Sequence, residues 1–255
     1  MIRIVVAAAA ALVLAGCATT PSAQGAGGTF DGWTGAVVAA DWRTSRGQPI
    51  VAFDNARRDL TAAFLAEGFE RRHFVDYTLR PDAPDGATGN EVLAGITETA
   101  RRATVGCFLY FSSHGNTRGI TWGNEGQLSP ARMGELVDQW CGERPTVVVV
   151  SACFSGVFIP ELQGPNRMIM TAARRDRSSF GCSEDATYPY FDGCVLQSLP
   201  NASDFIDLAE QTRTCVSRRE TAEGLRPASE PQVFIGGDIR PLLTTTYAFA
   251  REIMI

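Results

Sequence analysis

Apolar residues recur along this chain in two rhythms. Two continuous runs, 105–111 and 147–150, show no polar alternation and stop abruptly in small polar turns. Those turns are Ser112-Ser113-His114-Gly115 and Ser151-Ala152-Cys153-Phe154-Ser155-Gly156. Unbroken β-branched and aromatic runs suit strands of a parallel sheet covered on both faces. Residues 35–40, 167–173, the weaker 69–77 and the short 232–235 read as further strands. Between them, apolar positions fall at helical spacing: Leu60, Phe64 and Leu65 within 54–67, with Gly68 at the stop, and Val92, Leu93, Ile96 and Ala100 within 90–102. A third stripe, Met133, Leu136, Val137 and Trp140, follows Ser129-Pro130, an N-cap with a first-turn proline. Residues 192–199 and 204–219 also read as helices, 119–128 as a hairpin, and 81–89 and 174–190 as loops. Strands alternating with helices predict an α/β fold, a three-layer αβα sandwich around a mostly parallel sheet. No internal repeat or domain boundary interrupts 30–255.

The first residues follow a different pattern. Arg3 supplies a short positive region, and the apolar 4–14 is too short to span a bilayer. It runs into Leu14-Ala15-Gly16-Cys17, which resembles a bacterial lipobox. The resemblance implies a signal peptide over 1–16, cleavage before Cys17 and lipidation of its thiol, hence a membrane partner through a lipid anchor. Ala18 is not the aspartate associated with inner-membrane retention, which points to the cell envelope at the periplasmic face of the outer membrane. An ordinary secretory signal with an incidental cysteine is the alternative. The remainder of 17–29 is a flexible tether.

Composition narrows the classes. The 255 residues are 45% hydrophobic and 20% charged, ordinary for a packed globule and enough for one sizeable α/β domain. A net charge of −5 argues against nucleic acid as a partner. Seven cysteines suit an oxidising compartment. Setting aside Cys17 and Cys153 leaves Cys107, Cys141, Cys182, Cys194 and Cys215, an odd number, so at least one stays unpaired. The pairings considered are Cys107 with Cys141 at the bottom of the sheet and Cys182 with Cys194 across a loop.

Each polar turn delivers one reactive side chain at the carboxyl end of a strand, the edge where open α/β sheets bind ligands. An imidazole and a thiol there are the minimum parts for thiol nucleophilic catalysis. Of the two histidines, His73 sits among Glu70, Arg71 and Arg72 and reads as a solvated surface residue. His114 follows an apolar strand and precedes Gly115, which permits close backbone approach to a ligand; a buried histidine satisfied by backbone is the alternative. Cys153 lies between small residues, and a helix starting just beyond it would lower its thiol pKa. Ser155 as a serine nucleophile lacks the first glycine of a Gly-x-Ser-x-Gly elbow. No Cys-x-x-Cys pair or histidine cluster supports a metal site, and no cofactor is expected.

The two strand-and-turn blocks together resemble the caspase-like clan of cysteine peptidases, and legumain-type asparaginyl endopeptidases in particular. Met170-Thr171-Ala172-Ala173 followed by Ser178-Ser179-Phe180, and the first strand ending in Asp41-Trp42-Arg43, extend the resemblance over 35–199. It implies a cysteine endopeptidase acting on peptides or proteins. Cys153 would be the nucleophile that forms a thioester, and His114 the acid that protonates the leaving amine and then activates water. Backbone N–H groups of Gly115 and Cys153 would hold the oxyanion. The implied substrate pocket comprises Arg43, Ser151, Ser178, Ser179 and Asp192, with Arg43 and Asp192 suited to an asparagine amide. Two departures weaken asparagine specificity: legumains carry acidic residues where this chain has Ser113 and Ser151. A catalytically silent caspase-like scaffold that binds peptides or envelope proteins is the reading from a different class. Residue preference, proteolytic activation and oligomeric state stay open.

Overall fold

The computed structural model describes residues 29–249; the signal segment, Cys17 and nearly all of the tether lie outside the described residues. The unbroken apolar runs form strands filled on both faces. The main sheet comprises β1 (Trp33–Ala39), β2 (Phe74–Thr78), β3 (Gly106–Ser112), β7 (Thr146–Ser151), β8 (Arg167–Thr171) and β9 (Gln232–Ile235). A small sheet of β4 (Gly115–Asn116), β5 (Gly119–Thr121) and β6 (Gln127–Leu128) lies between β3 and β7 in the chain. The main order is β2-β1-β3-β7-β8-β9, with every neighbouring pair parallel except β8 and β9.

Successive strand residues face opposite sides of a sheet. In β3, Phe108 and Tyr110 enter one core, and Cys107, Leu109 and Phe111 enter the other. The first core is closed by α1 (Ala52–Ala66), α5 (Tyr190–Ser198), α6 (Phe205–Ala222) and α7 (Ile239–Thr245). The second is closed by α2 (Gly89–Arg102), α3 (Pro130–Cys141) and the single turn α4 (Ile159–Leu162). This is the expected three-layer sandwich, and helices on both faces explain why the strands carry no polar alternation. Caps set the helix starts: Thr88 and Glu91 form a reciprocal capping box on α2, Ser129 accepts from the Arg132 N–H at α3, and Asp204 caps α6.

Three expectations change. The stretch 69–77 begins as a 3-10 turn at Arg71–His73 and becomes a strand only at Phe74. His73 is not solvated: its side chain is 14% exposed, with Nδ1 3.2 Å from a Glu70 carboxylate oxygen. Cys107 does bridge Cys141, tying β3 to α3, but Cys194 bridges Cys215 rather than Cys182. The reason is geometric: α5 and α6 pack side by side, bringing Cys194 and Cys215 to a Cα separation of 5.7 Å, within disulfide range. Cys182 keeps a free thiol.

Candidate active site

Register brings the two reactive residues to one edge. Ser112, the last residue of β3, pairs directly with Ser151, the last of β7, and the Ser113 N–H donates to the Ser151 carbonyl at 3.0 Å. His114 and Cys153 each lie two residues past this paired position, so both follow the same edge of the sheet. Both line one cleft of about 720 Å³. Its walls come from Thr44, Ser45 and Arg46 after β1 and from the loop 178–185 after β8.

The hydrogen bonding of His114 sets its chemistry. Nε2 lies 2.7 Å from the backbone carbonyl of Arg43. A carbonyl only accepts, so Nε2 carries the hydrogen and Nδ1 is the nitrogen left to exchange protons. Phe53 meets the ring edge-on at 5.2 Å between centroids and limits its tilt. The imidazole is thus held by a backbone oxygen and an aromatic edge, and among the described residues no carboxylate pairs with it.

Cys153 sits in a strained turn. Phe154, next in the chain, is a non-glycine residue at φ 59°, a conformation that tertiary contacts must hold. One such contact is the Phe154 N–H donating to the Arg177 carbonyl at 2.7 Å. Beyond it the chain makes only a 3-10 turn, Ser155–Phe158, before the single turn of α4, so the expected helix N-terminus is not a substantial one. The sulfur instead receives the Ser179 N–H at 3.2 Å, with the Ser179 hydroxyl 3.6 Å away. Ser155 is fully buried, and its hydroxyl accepts the Ala173 N–H at 3.1 Å, a structural role that leaves it no access to substrate.

Beneath the cleft lies a buried polar knot. Asp192, from α5, is fully buried and accepts from the Tyr110 hydroxyl at 2.6 Å and from the Ser112 hydroxyl. A hydrogen bond from Ser151 also favours its charged form. Burial wins over these donors and pushes the Asp192 carboxyl up to about 6. The Tyr110 phenol is pushed well above its ordinary value by burial first and by the Asp192 charge second. Tyr110, Ser112 and, through the register, Ser151 share one face of the sheet, so this carboxylate ties together the ends of both strands that lead to the reactive residues.

The other sequence-derived pocket residues divide. Ser178 and Ser179 line the cleft. Ser151 is buried beneath it. The Arg43 guanidinium turns elsewhere: it contacts the Asp41 carboxylate at 2.8 Å and the Gly123 carbonyl at 2.9 Å and lies over the Trp42 ring. Arg43 therefore reaches the site through its carbonyl, and the polar groups of Arg43 and Asp192 are already partnered separately. Sequence reasoning missed that carbonyl, the Ser179 N–H, Tyr110, Ser112 and Cys182. Main-chain contacts leave no trace in side-chain identity, but tyrosine and serine two apart at the end of an apolar strand were a usable signal.

Comparison with known proteins bears on the fold and the family. Residues 94–218 match the Peptidase C13 family, a span that includes both His114 and Cys153. Among solved structures, the chain resembles caspase-1 from Spodoptera frugiperda with a TM-score of 0.58 at 12% identity, covering 80% of this chain and 86% of that one. That likeness concerns the fold. A search of curated proteins gave no match. The caspase-like fold and the Peptidase C13 match over 94–218 together support a protein of the cysteine peptidase type. Within that type, the matched family is the legumain family.

Proposed function

We propose that the chain is a legumain-like cysteine endopeptidase working through Cys153 and His114. The observation that supports this reading is the β3–β7 register, which pairs the strand ends leading to His114 and Cys153, two residues that line one cleft. Proton transfer from the thiol to His114 Nδ1, directly or through water, leaves a Cys153 thiolate and an imidazolium, and the thiolate attacks the peptide carbonyl carbon. The resulting oxyanion takes N–H groups of Gly115 and Cys153, a contribution of about 3–4 kcal/mol to lowering the barrier. The tetrahedral centre collapses to a thioester as His114 Nδ1–H protonates the departing amine. Water then attacks the thioester, gives its proton to the same nitrogen and releases the acid and the thiol. The Arg43 carbonyl bond on Nε2 supports both steps, because it stabilises the imidazolium that each of them passes through.

The lipobox-like Leu14–Cys17 stretch supports a lipid-anchored enzyme on the periplasmic face of the outer membrane. Among the described residues no helix is long and apolar enough to cross a membrane. The deciding experiment is covalent labelling by a peptide bearing a thiol-reactive electrophile. Wild-type protein under reducing conditions should be labelled on Cys153, and Cys153→Ala should not. No labelling of the reduced wild type would overturn the peptidase reading, while labelling without hydrolysis of any member of a fluorogenic peptide library would favour a binding scaffold. Globomycin-sensitive membrane fractionation, lost in Cys17→Ala, tests the anchor.

A further inference from the structure

Six cysteines fall among the described residues, and four of them are locked in the Cys107–Cys141 and Cys194–Cys215 bridges. The two left free, Cys153 and Cys182, line the same cleft. The loop that carries Cys182 is already wrapped around the nucleophile. The Ser179 N–H and carbonyl lie 3.2 and 3.5 Å from the Cys153 sulfur, and the Arg177 carbonyl holds the Phe154 N–H at 2.7 Å. Cys182 follows Ser179 by three residues, with Gly181 between them at φ 91°, a backbone conformation open chiefly to glycine. Its side chain packs on a small apolar cluster of Ala39, Ile50, Ala52 and Phe53 that underlies the cleft.

We propose that Cys153 and Cys182 form a reversible disulfide that masks the nucleophile, so that this cleft is active only while the pair is reduced. The proposal rests on the peptidase reading for its consequence, but not for the bond itself. The oxidant is a disulfide, either a low-molecular-weight one or that of a dithiol oxidase. The Cys153 thiolate attacks one sulfur of the oxidant and expels a thiolate, leaving a mixed disulfide on Cys153. Cys182 then loses its proton and attacks the Cys153 sulfur, expelling the second thiolate. One disulfide is reduced to two thiols as two protein thiols become one disulfide. The roles are unequal, because burial and the facing Cys153, Asp192 and Asp41 groups push the Cys182 thiol up. Cys153 is therefore the first attacker. In the reverse reaction an incoming thiolate at Cys182 releases Cys153, the better leaving group, in its nucleophilic form.

The test compares full-length reduced protein with protein treated with oxidised glutathione, then alkylated and mapped by peptide mass spectrometry. The expected result is a peptide pair joined through Cys153 and Cys182, lighter by one H₂ than the reduced pair. Electrophile labelling of Cys153 should fall by about tenfold or more and return on adding reductant. In Cys182→Ala the glutathione should remain on Cys153 as a stable mixed disulfide, since nothing resolves it. A wild-type protein that keeps glutathione on Cys153 while Cys182 stays free to alkylate overturns the proposal, as does one in which neither cysteine is oxidised. Because mapping needs no turnover, a mapped bridge in a protein whose reduced form the electrophile does not label supports the pairing while overturning the peptidase reading.

Discussion

A Cβ at Gly115 would lie 2.4 Å from the carbonyl oxygen of Cys153 and 3.0 Å from the Ala152 methyl. Both contacts involve the turn that holds Cys153, and the nearer one is with rigid backbone. Gly115→Ala must therefore separate the two strand ends and move the N–H groups of Gly115 and Cys153, the proposed oxyanion donors. Hydrolysis of a fluorogenic substrate is expected to fall about a hundredfold or more, with a thermal melt still cooperative. Asp192 offers a second residue-scale prediction. Its carboxyl rises from 3.8 to about 6 on folding, so across that interval the folded protein holds a proton that the unfolded chain has released. Stability from this group is complete below 3.8 and is lost as pH rises through about 6, a change of about 3 kcal/mol. Urea titrations of wild type and Asp192→Asn across that interval should diverge by that amount, the wild type losing ground as pH rises. A constant difference between them would sink the account.

At the scale of elements, the first core side is braced by charge as well as by apolar contact. Arg57 on α1 is 4% exposed and pairs with Asp54 on its own helix, Asp76 on β2 and Asp85 in the following loop. Removing its guanidinium leaves three carboxylates facing one another, Asp54 and Asp76 largely out of water. Arg57→Ala should cost about 3 kcal/mol in chemical denaturation, far more than an exposed pair such as Arg102–Glu98. The helices themselves were largely legible from spacing and caps, since local hydrogen bonds decide where a helix starts. The 3-10 entry to β2 was not, because the ring and charge contacts of 69–73 depend on partners far along the chain.

At the scale of the whole molecule, strands buried on both faces should open last. Amide exchange is expected to be slowest in β1, β3 and β7, at the centre of the main sheet, and fastest in the loop 174–189 that walls the cleft. Equal protection of that loop and β3 would contradict the picture of a rigid edge carrying an adaptable wall. The Cys194–Cys215 bridge closes a separation of 21 residues between α5 and α6, and its loss should lower stability by about 3 kcal/mol while leaving the β3–β7 register intact. A melting comparison of wild type with Cys194→Ala plus Cys215→Ala measures this directly.

The sequence alone determined the layered α/β architecture, because unbroken apolar runs and 3.6-residue stripes already state which faces are buried. It also singled out His114 and Cys153, since each ends such a run in a small polar turn. Only the tertiary structure decided what surrounds them. The Arg43 carbonyl selects the imidazole tautomer, the Ser179 N–H meets the sulfur, and Asp192 sits beneath the strand ends instead of lining the cleft. It also decided that Cys194 meets Cys215 and that Cys182 is left free in the cleft that Cys153 lines. The physical reason is the same throughout. Periodicity is a property of neighbouring residues, whereas these contacts join main-chain atoms and side chains that become neighbours only when the sheet sets its register and the helices pack across it.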